Sequence, residues 1–385
     1  MPVVGRAVAF LKSDDSVVAE VMTDSTGSAS APMPDGGSVT VAAGGVLAGA
    51  TVYTYLGLKN GDELTIGRSK PVASTPFKIT VTVPANVEPT AHNFLFHSTC
   101  NINAGNETDQ RTVNMMVTGG CTVADFYVEA QDATYKALSA TWRKAQPVSP
   151  GGNVDAGSAF TPLTSSLLSI VNAPQFATIT PALDLVVGSF YPVSSPFNTS
   201  ITLTNGAGTK KLMHASIPGA SLETRVEVQH LGSQFWIKRT TPGLWTLDFA
   251  TANLPAISSG VAYSPTDSSV TWQESGHATD TAAADLAIKN GTARDYVWLI
   301  VGPHTGTSLH VPHLPSSLAP FNVASGDTTT ATAAIGSFPG GYARIAPHVF
   351  VSGFAFFESF YALDRRDVFN YVLADGDLAM FATNR

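Results

Sequence analysis

The sequence is short of charge, of cysteine and of long uninterrupted apolar runs, and each shortage argues against a class of protein. Charged residues make up 13% of the 385 positions, against about 25% in an ordinary soluble domain. The formal net charge is −8, and no basic run exceeds a pair, as at Lys210-Lys211, Lys238-Arg239 and Arg365-Arg366. A surface that displaces counterions from phosphates needs several clustered cations, so nucleic acid is not an expected partner, and attraction to an anionic membrane falls with it. The longest apolar window, from Val39 to Leu58, is interrupted by Gly44, Gly45, Gly49 and Gly57 and carries Thr40, Thr51 and Thr54. Two strands and a turn account for it better than a spanning helix, so no membrane span is expected. Met1-Pro2-Val3-Val4-Gly5-Arg6 runs directly into strand-like sequence, and any export signal is expected to have been removed ahead of it.

In place of charge the chain carries hydroxyls: Ser and Thr supply about a fifth of it. Thr and Val are β-branched and pack well on a pleated surface. The 33 Gly and 24 Pro punctuate the sequence too often for long helices to survive. The expected fold class is all-β, as tandem antiparallel β-sandwich domains with little helix. A length of 385 residues exceeds what one ordinary core supports. Breaker clusters at Ser74-Thr75-Pro76, Val148-Ser149-Pro150-Gly151-Gly152-Asn153 and Ser258-Ser259-Gly260 suggest domains over 1–75, 76–148, 149–257 and 258–385.

The two cysteines, Cys100 and Cys121, each sit beside strand-like sequence. An even count in a Ser/Thr-rich, charge-poor chain favours one disulfide over two buried thiols. Two sulfurs without a nearby CxxC make a poor zinc site. This combination points to an extracellular, cell-surface or periplasmic protein.

Along the first seventy residues, Val3 to Phe10, Val17 to Met22, Ser38 to Val41, Thr51 to Tyr55 and Glu63 to Ile66 read as strands. Between them lie Asp14-Asp15, Asp24-Ser25-Thr26-Gly27, Pro34-Asp35-Gly36-Gly37 and Lys59-Asn60-Gly61-Asp62, where an Asp oxygen takes a backbone N–H and Gly or Asn supplies positive φ. The runs Val4-Gly5-Arg6-Ala7-Val8-Ala9-Phe10, Val21-Met22-Thr23-Asp24-Ser25-Thr26-Gly27-Ser28-Ala29 and Gly37-Ser38-Val39-Thr40-Val41 resemble the carboxypeptidase regulatory-like family. So does the turn Gly57-Leu58-Lys59-Asn60-Gly61-Asp62-Glu63-Leu64. The resemblance spans under a fifth of the chain. It implies a transthyretin-like sandwich serving as a non-catalytic accessory module on secreted or surface proteins.

Farther on, Phe77-Lys78-Ile79-Thr80-Val81-Thr82-Val83 alternates with period two and stops at Pro84. Similar runs follow at Phe94 to Thr99, Thr112 to Thr118, Asp125 to Ala130 and Leu138 to Arg143, then at Glu223 to His230, Gln234 to Arg239, Leu244 to Phe249 and Asp295 to Val301. From Ala156 to Thr209 the only charged residue is Asp184, and both a buried stretch and an irregular Ser/Thr surface fit. A short helix is expected around Asp364 to Leu373, where Asp364 caps and Val368, Phe369 and Val372 share a face.

Candidate chemistry is sparse. His304, His310 and His313 are the densest histidine group, and imidazoles this close can share a metal. A strand puts residues three apart on opposite faces, however, and Pro312 interrupts pairing between them. Asn101, Asn103 and Asp109 alternate oxygen-bearing side chains around Gly105, as a calcium loop does. Calcium is therefore the one cofactor the sequence suggests, with a plain Asn/Gly turn as the alternative. No GxSxG, HExxH, P-loop or GxGxxG run occurs. Trp236 and Trp245, with Phe235 and Phe249, would form a glycan platform if they projected outward, whereas core packing is the commoner fate of strand tryptophans. The sequence thus reads as a non-catalytic secreted or cell-surface β-sandwich protein that binds a surface protein or a glycan or serves a structural role. The alternatives are an extracellular hydrolase with a catalytic C-terminal half and a capsid or fibre component.

Overall fold

The computed structural model describes residues 3–44, 48–66, 75–100, 105–108, 111–117, 119–175, 177–186, 201–203, 205–218, 220–230, 232–240, 243–292, 294–348 and 377–384. Within them the fold is all-β, in several sheets, and the helices are single turns such as Phe249–Ala252 and Gly341–Ile345. The expected helix from Asp364 to Leu373 lies outside the described residues. The chain forms two compact units: one comprises 1–69, 227–236 and 252–385, the other 70–226 and 237–251.

In the first unit, a large sheet runs Leu378–Asn384, Thr328–Ser337, Thr281–Asn290, Arg294–Pro303, Ala48–Leu58, Gly37–Ala43, Ala7–Leu11, Val17–Met22. Its neighbours are antiparallel except for one join, where Ala48–Leu58 pairs parallel with Arg294–Pro303. The four N-terminal strands therefore continue a sheet that the C-terminal strands begin. A smaller sheet of Ala256–Ser264, Ser269–Ser275 and Ser308–His310 supplies Ile257, Val270, Trp272 and Leu309 to a shared core. Against these pack Ala9, Val52, Leu286, Tyr296, Trp298 and Ile335 of the large sheet.

The segment from Glu63 to Ile66 is not a strand, which corrects the sequence reading. The alternation is there, but a hairpin after the Lys59–Asp62 turn needs a free edge on Ala48–Leu58. Both edges of that strand are occupied, by Gly37–Ala43 and by Arg294–Pro303.

The second unit contains a sandwich of its own. Phe77–Thr82, Thr112–Val117 and Asn153–Asp155 form one sheet, and Gly105–Thr108, Asn93–Ser98, Val123–Gln131, Ala137–Pro147 and Thr161–Pro162 the other. Period-two alternation sends Ile79, Val81, Val113, Met115 and Val117 inward to meet Phe94, Phe96, Phe126, Val128 and Ala130. A further three-stranded sheet comprises Gly208–His214, Thr164–Val171 and Leu244–Asp248. Strands thus fill much of the charge-poor stretch that the sequence left open.

Cys100 and Cys121 are joined in a disulfide, their Cα atoms 6.1 Å apart and 21 residues apart in sequence. The bridge ties the end of Asn93–Ser98 to the approach of its antiparallel neighbour Val123–Gln131. Closing a loop of that length in the unfolded chain is worth about 3 kcal/mol. The double variant Cys100→Ser/Cys121→Ser is expected to unfold at correspondingly lower urea with an increased m-value, and an unchanged urea midpoint would contradict this.

Candidate functional site

The Asp-bearing turns behave as their chemistry requires. Asp24 Oδ1 accepts from the Thr26 backbone N at 2.7 Å, the Thr26 hydroxyl at 2.6 Å and the Ser28 N at 3.1 Å, and Gly27 takes φ +76°. Asp132 repeats the pattern with Thr134 and the Lys136 N, although Tyr135 holds the left-handed position with φ 64°. These hydrogen bonds, led by the threonine hydroxyl in each case, hold both carboxyls below their ordinary range.

The three candidate histidines are anchored separately. His310 Nε2 donates to Asp15 at 2.9 and 3.0 Å, and the backbone N of His313 donates to the same carboxylate at 2.9 Å. On the strand that follows, Glu20 accepts from the Ser317 N at 2.9 Å. Two acids of the first hairpin thus clamp the loop from His310 to Ser317, with Asp15 itself at φ 64°. His304 Nε2 donates instead to Glu274 Oε2 at 2.9 Å, where the Trp272 indole also donates at 2.6 Å. Asp327 is engaged by Arg294 at 2.9 and 3.0 Å. Among the described residues, no three His, Cys, Asp or Glu side chains gather as a metal site.

The hydrogen bond that His310 donates to Asp15 raises the imidazole above its ordinary value, against an opposing effect of burial. A raised folded-state pKa contributes stability that is fully present below the unfolded value of about 6.5 and is lost as pH rises through the folded value. The melting temperature of wild type relative to His310→Gln is therefore expected to be higher at pH 5.5 than at pH 8.5. A pH-independent difference would count against the clamp. The imidazole is partly exposed, so solvent screening keeps the effect modest.

The suggested calcium ligands Asn101, Asn103 and Asp109 lie outside the described residues. The aromatic platform does not form: Phe235, Trp236 and Trp245 are buried, and Phe235 stacks on Phe381 with centroids 4.4 Å apart. These strands bury their rings because the hydrophobic surface of an indole or phenyl exceeds what one solvated sheet face accommodates cheaply.

Three polar arrangements went unnoticed in the sequence. Buried Glu129 accepts from the Tyr127 hydroxyl at 2.9 Å and from the Gln131 amide at 3.3 Å, and desolvation pushes its carboxyl upward despite those bonds. Glu223 pairs with Arg239 at 2.9 Å, with side chains only 3% and 6% exposed. On the small sheet of the second unit, Ser166 Oγ lies 3.0 Å from His214 Nε2, and His214 Nδ1 is 2.9 Å from the Ala215 carbonyl. Nothing local marks the last pair in the sequence, and their separation of 48 residues conceals the diagonal neighbourhood.

At the margin of the first unit's sheet, Val17–Met22 pairs with Ala7–Leu11 on one side only among the described residues. Val17 and Met22 are 50% and 58% exposed. Beside this edge is a shallow, open depression of about 600 Å³ lined by Lys12, Val17, Val18, Met33 and Asn60 with Pro32 and Pro34. No helix among the described residues is long and apolar enough to cross a membrane.

No family model matches the chain, and no curated protein does. Among solved structures, the shaft pilin SpaA from Lactobacillus rhamnosus GG aligns at 8% identity over 60% of this chain and 99% of the pilin, with a TM-score of 0.15. The native conformation of Escherichia coli alpha-2-macroglobulin aligns at 10% identity over 87% of this chain and 26% of that one, with a TM-score of 0.14. The Bacteroides ovatus protein SGBP-B, in complex with a mixed-linkage heptasaccharide, aligns at 11% identity over 85% and 86%, with a TM-score of 0.12. Superpositions at these scores carry no argument about what this chain does.

Proposed function

We propose that this is an extracellular, cell-surface or periplasmic β-sandwich protein with a binding or structural role, in which the N-terminal strands act as an accessory module of the carboxypeptidase regulatory-like kind. The observation that carries the reading is the open edge strand Val17–Met22, with its exposed Val17 and Met22 and the adjoining depression. An unpaired edge offers a row of N–H and C=O groups to which an extended segment of a surface protein can add, while side-chain pockets beside it set selectivity. The disulfide fits an oxidising compartment. The acids of the first unit support a structural use of charge: Asp15, Glu20, Glu274 and Asp327 each hold a loop or a ring in place.

The test is thermal unfolding of the intact chain with EDTA, calcium, zinc and a panel of soluble glycans, alongside sizing across concentration. A ligand present at a hundred times its Kd adds about 2.7 kcal/mol to the native state. A shift with a glycan or a metal names the ligand class. A concentration-dependent assembly with no shift assigns the edge to protein partners. A chain that stays monomeric and shifts with none of them speaks against the binding reading.

A further inference from the structure

We infer that Ser166 is a reactive nucleophile, activated by His214, that takes up a small acyl group from an ester. This goes beyond the binding or structural reading and does not depend on it. Both residues face the same side of one sheet. Thr164–Val171 pairs antiparallel with Gly208–His214, with Ser166 opposite Leu212 and His214 opposite Thr164, so the serine and the histidine are diagonal neighbours, within reach of each other. The Ala215 carbonyl, 2.9 Å from Nδ1, fixes the tautomer with the proton on Nδ1, which leaves the Nε2 lone pair facing the Ser166 hydroxyl at 3.0 Å. This is the order of groups that a nucleophile, a base and an orienting acceptor require.

Two further donors come from the segment that pairs beside Thr164–Val171. The Gly243 backbone N–H reaches Ser166 Oγ at 3.2 Å. Trp245 lies opposite Leu168 in register, on the face that Ser166 shares, and its buried indole N–H has no hydrogen-bond partner among the described residues. Either can face an oxygen that gains negative charge during attack. Ser166 and His214 themselves are 3% and 8% exposed. That burial selects small electrophiles.

In the acylation step Ser166 Oγ bonds to the ester's carbonyl carbon as its proton passes to His214 Nε2. The carbon–oxygen bond to the alcohol then breaks, and the departing alkoxide takes that proton from the imidazolium. The atoms balance without any further reactant.

The test uses the intact chain and a small alkyl fluorophosphonate, which reports the same chemistry. Oγ bonds to phosphorus, fluoride leaves, and the proton passes through His214 to solvent. Peptide mass spectrometry is expected to find one adduct, at Ser166. A bulky fluorophosphonate is expected to react more slowly, and Ser166→Ala to abolish that adduct. His214→Gln is expected to slow labelling by about a hundredfold or more. Absence of an adduct at Ser166, labelling spread evenly over other serines, or an undiminished rate in folded His214→Gln would overturn the inference. Should that variant fail to fold, the wild-type pH profile decides. A labelling rate that climbs between pH 5 and 8, where imidazole loses its proton, supports the pair, and a flat one refutes it.

Discussion

Trp298→Ala is expected to destabilise the first unit by about 3–5 kcal/mol, the range for removing a large buried aromatic. Trp298 has no exposed surface and lies in the core shared by the large and small sheets. Its loss leaves a cavity that flanking strands, paired on both edges, are poorly placed to fill. The side chain also carries a polar duty. Its indole N–H donates to Thr54 Oγ1 at 2.8 Å, and Thr54 exchanges a hydrogen bond with Thr40 at 2.7 Å. Both threonines are fully buried, so Trp298→Phe, which keeps most of the volume, still takes one of its two hydrogen bonds from the Thr54 oxygen and is expected to cost about 1–3 kcal/mol. Urea midpoints of the two variants separate the contributions. If Trp298→Ala moved the midpoint no further than Trp298→Phe, the cavity argument would fail.

That triad also shows what sequence pattern conveys and what it does not. Local chemistry was legible: Val17–Met22 was read to its ends, Phe77–Thr82 from its alternation, the Asp24 turn from one carboxylate and one glycine, and the disulfide from an even cysteine count. Each of these depends on residues close in sequence or on a single pairing. The start of strand Thr281–Asn290 is not legible, because its first residues, Thr281-Ala282-Ala283-Ala284, are buried on both faces and show no alternation. Strand Thr164–Val171 was hidden for the opposite reason. Serines occupy its buried and its exposed positions alike, so the polar-apolar contrast that marks a strand is weak. Least visible was the parallel join of Ala48–Leu58 to Arg294–Pro303. Nothing local specifies a partner some 240 residues away, and Trp298, Thr54 and Thr40 acquire their relation only through it. The Ser166–His214 pair is of the same kind, since a strand pairing creates it and neither residue signals it alone.

Arg239→Met is expected to cost about 3–5 kcal/mol, as does the removal of one partner from a buried ion pair in general. Strands Ser221–His230 and Gly232–Thr240 carry the participants in the second unit. Arg239 Nη2 meets Glu223 Oε2 at 2.9 Å, while Arg225 Nε stands 3.9 Å from Glu223 Oε1 with its side chain 15% exposed. Alternation predicts that charged residues on such strands face water, yet Glu223 and Arg239 are turned inward. Losing the Arg239 cation takes from the Glu223 carboxylate, in a low-dielectric setting, the charge that meets it at 2.9 Å, while Arg225 stands farther off. Burial of a charge costs far more than the net value of the pair that made it tolerable. Glu223→Leu/Arg239→Met removes both charges together and is expected to lose less than the single Arg239→Met change, with a favourable coupling energy in the double-mutant cycle. Chemical unfolding of the four proteins reads this directly. Additive costs, or a loss below about 1 kcal/mol for Arg239→Met, would mean that the two side chains behave as a solvated surface pair in solution, and the buried position of Glu223 would have to be abandoned.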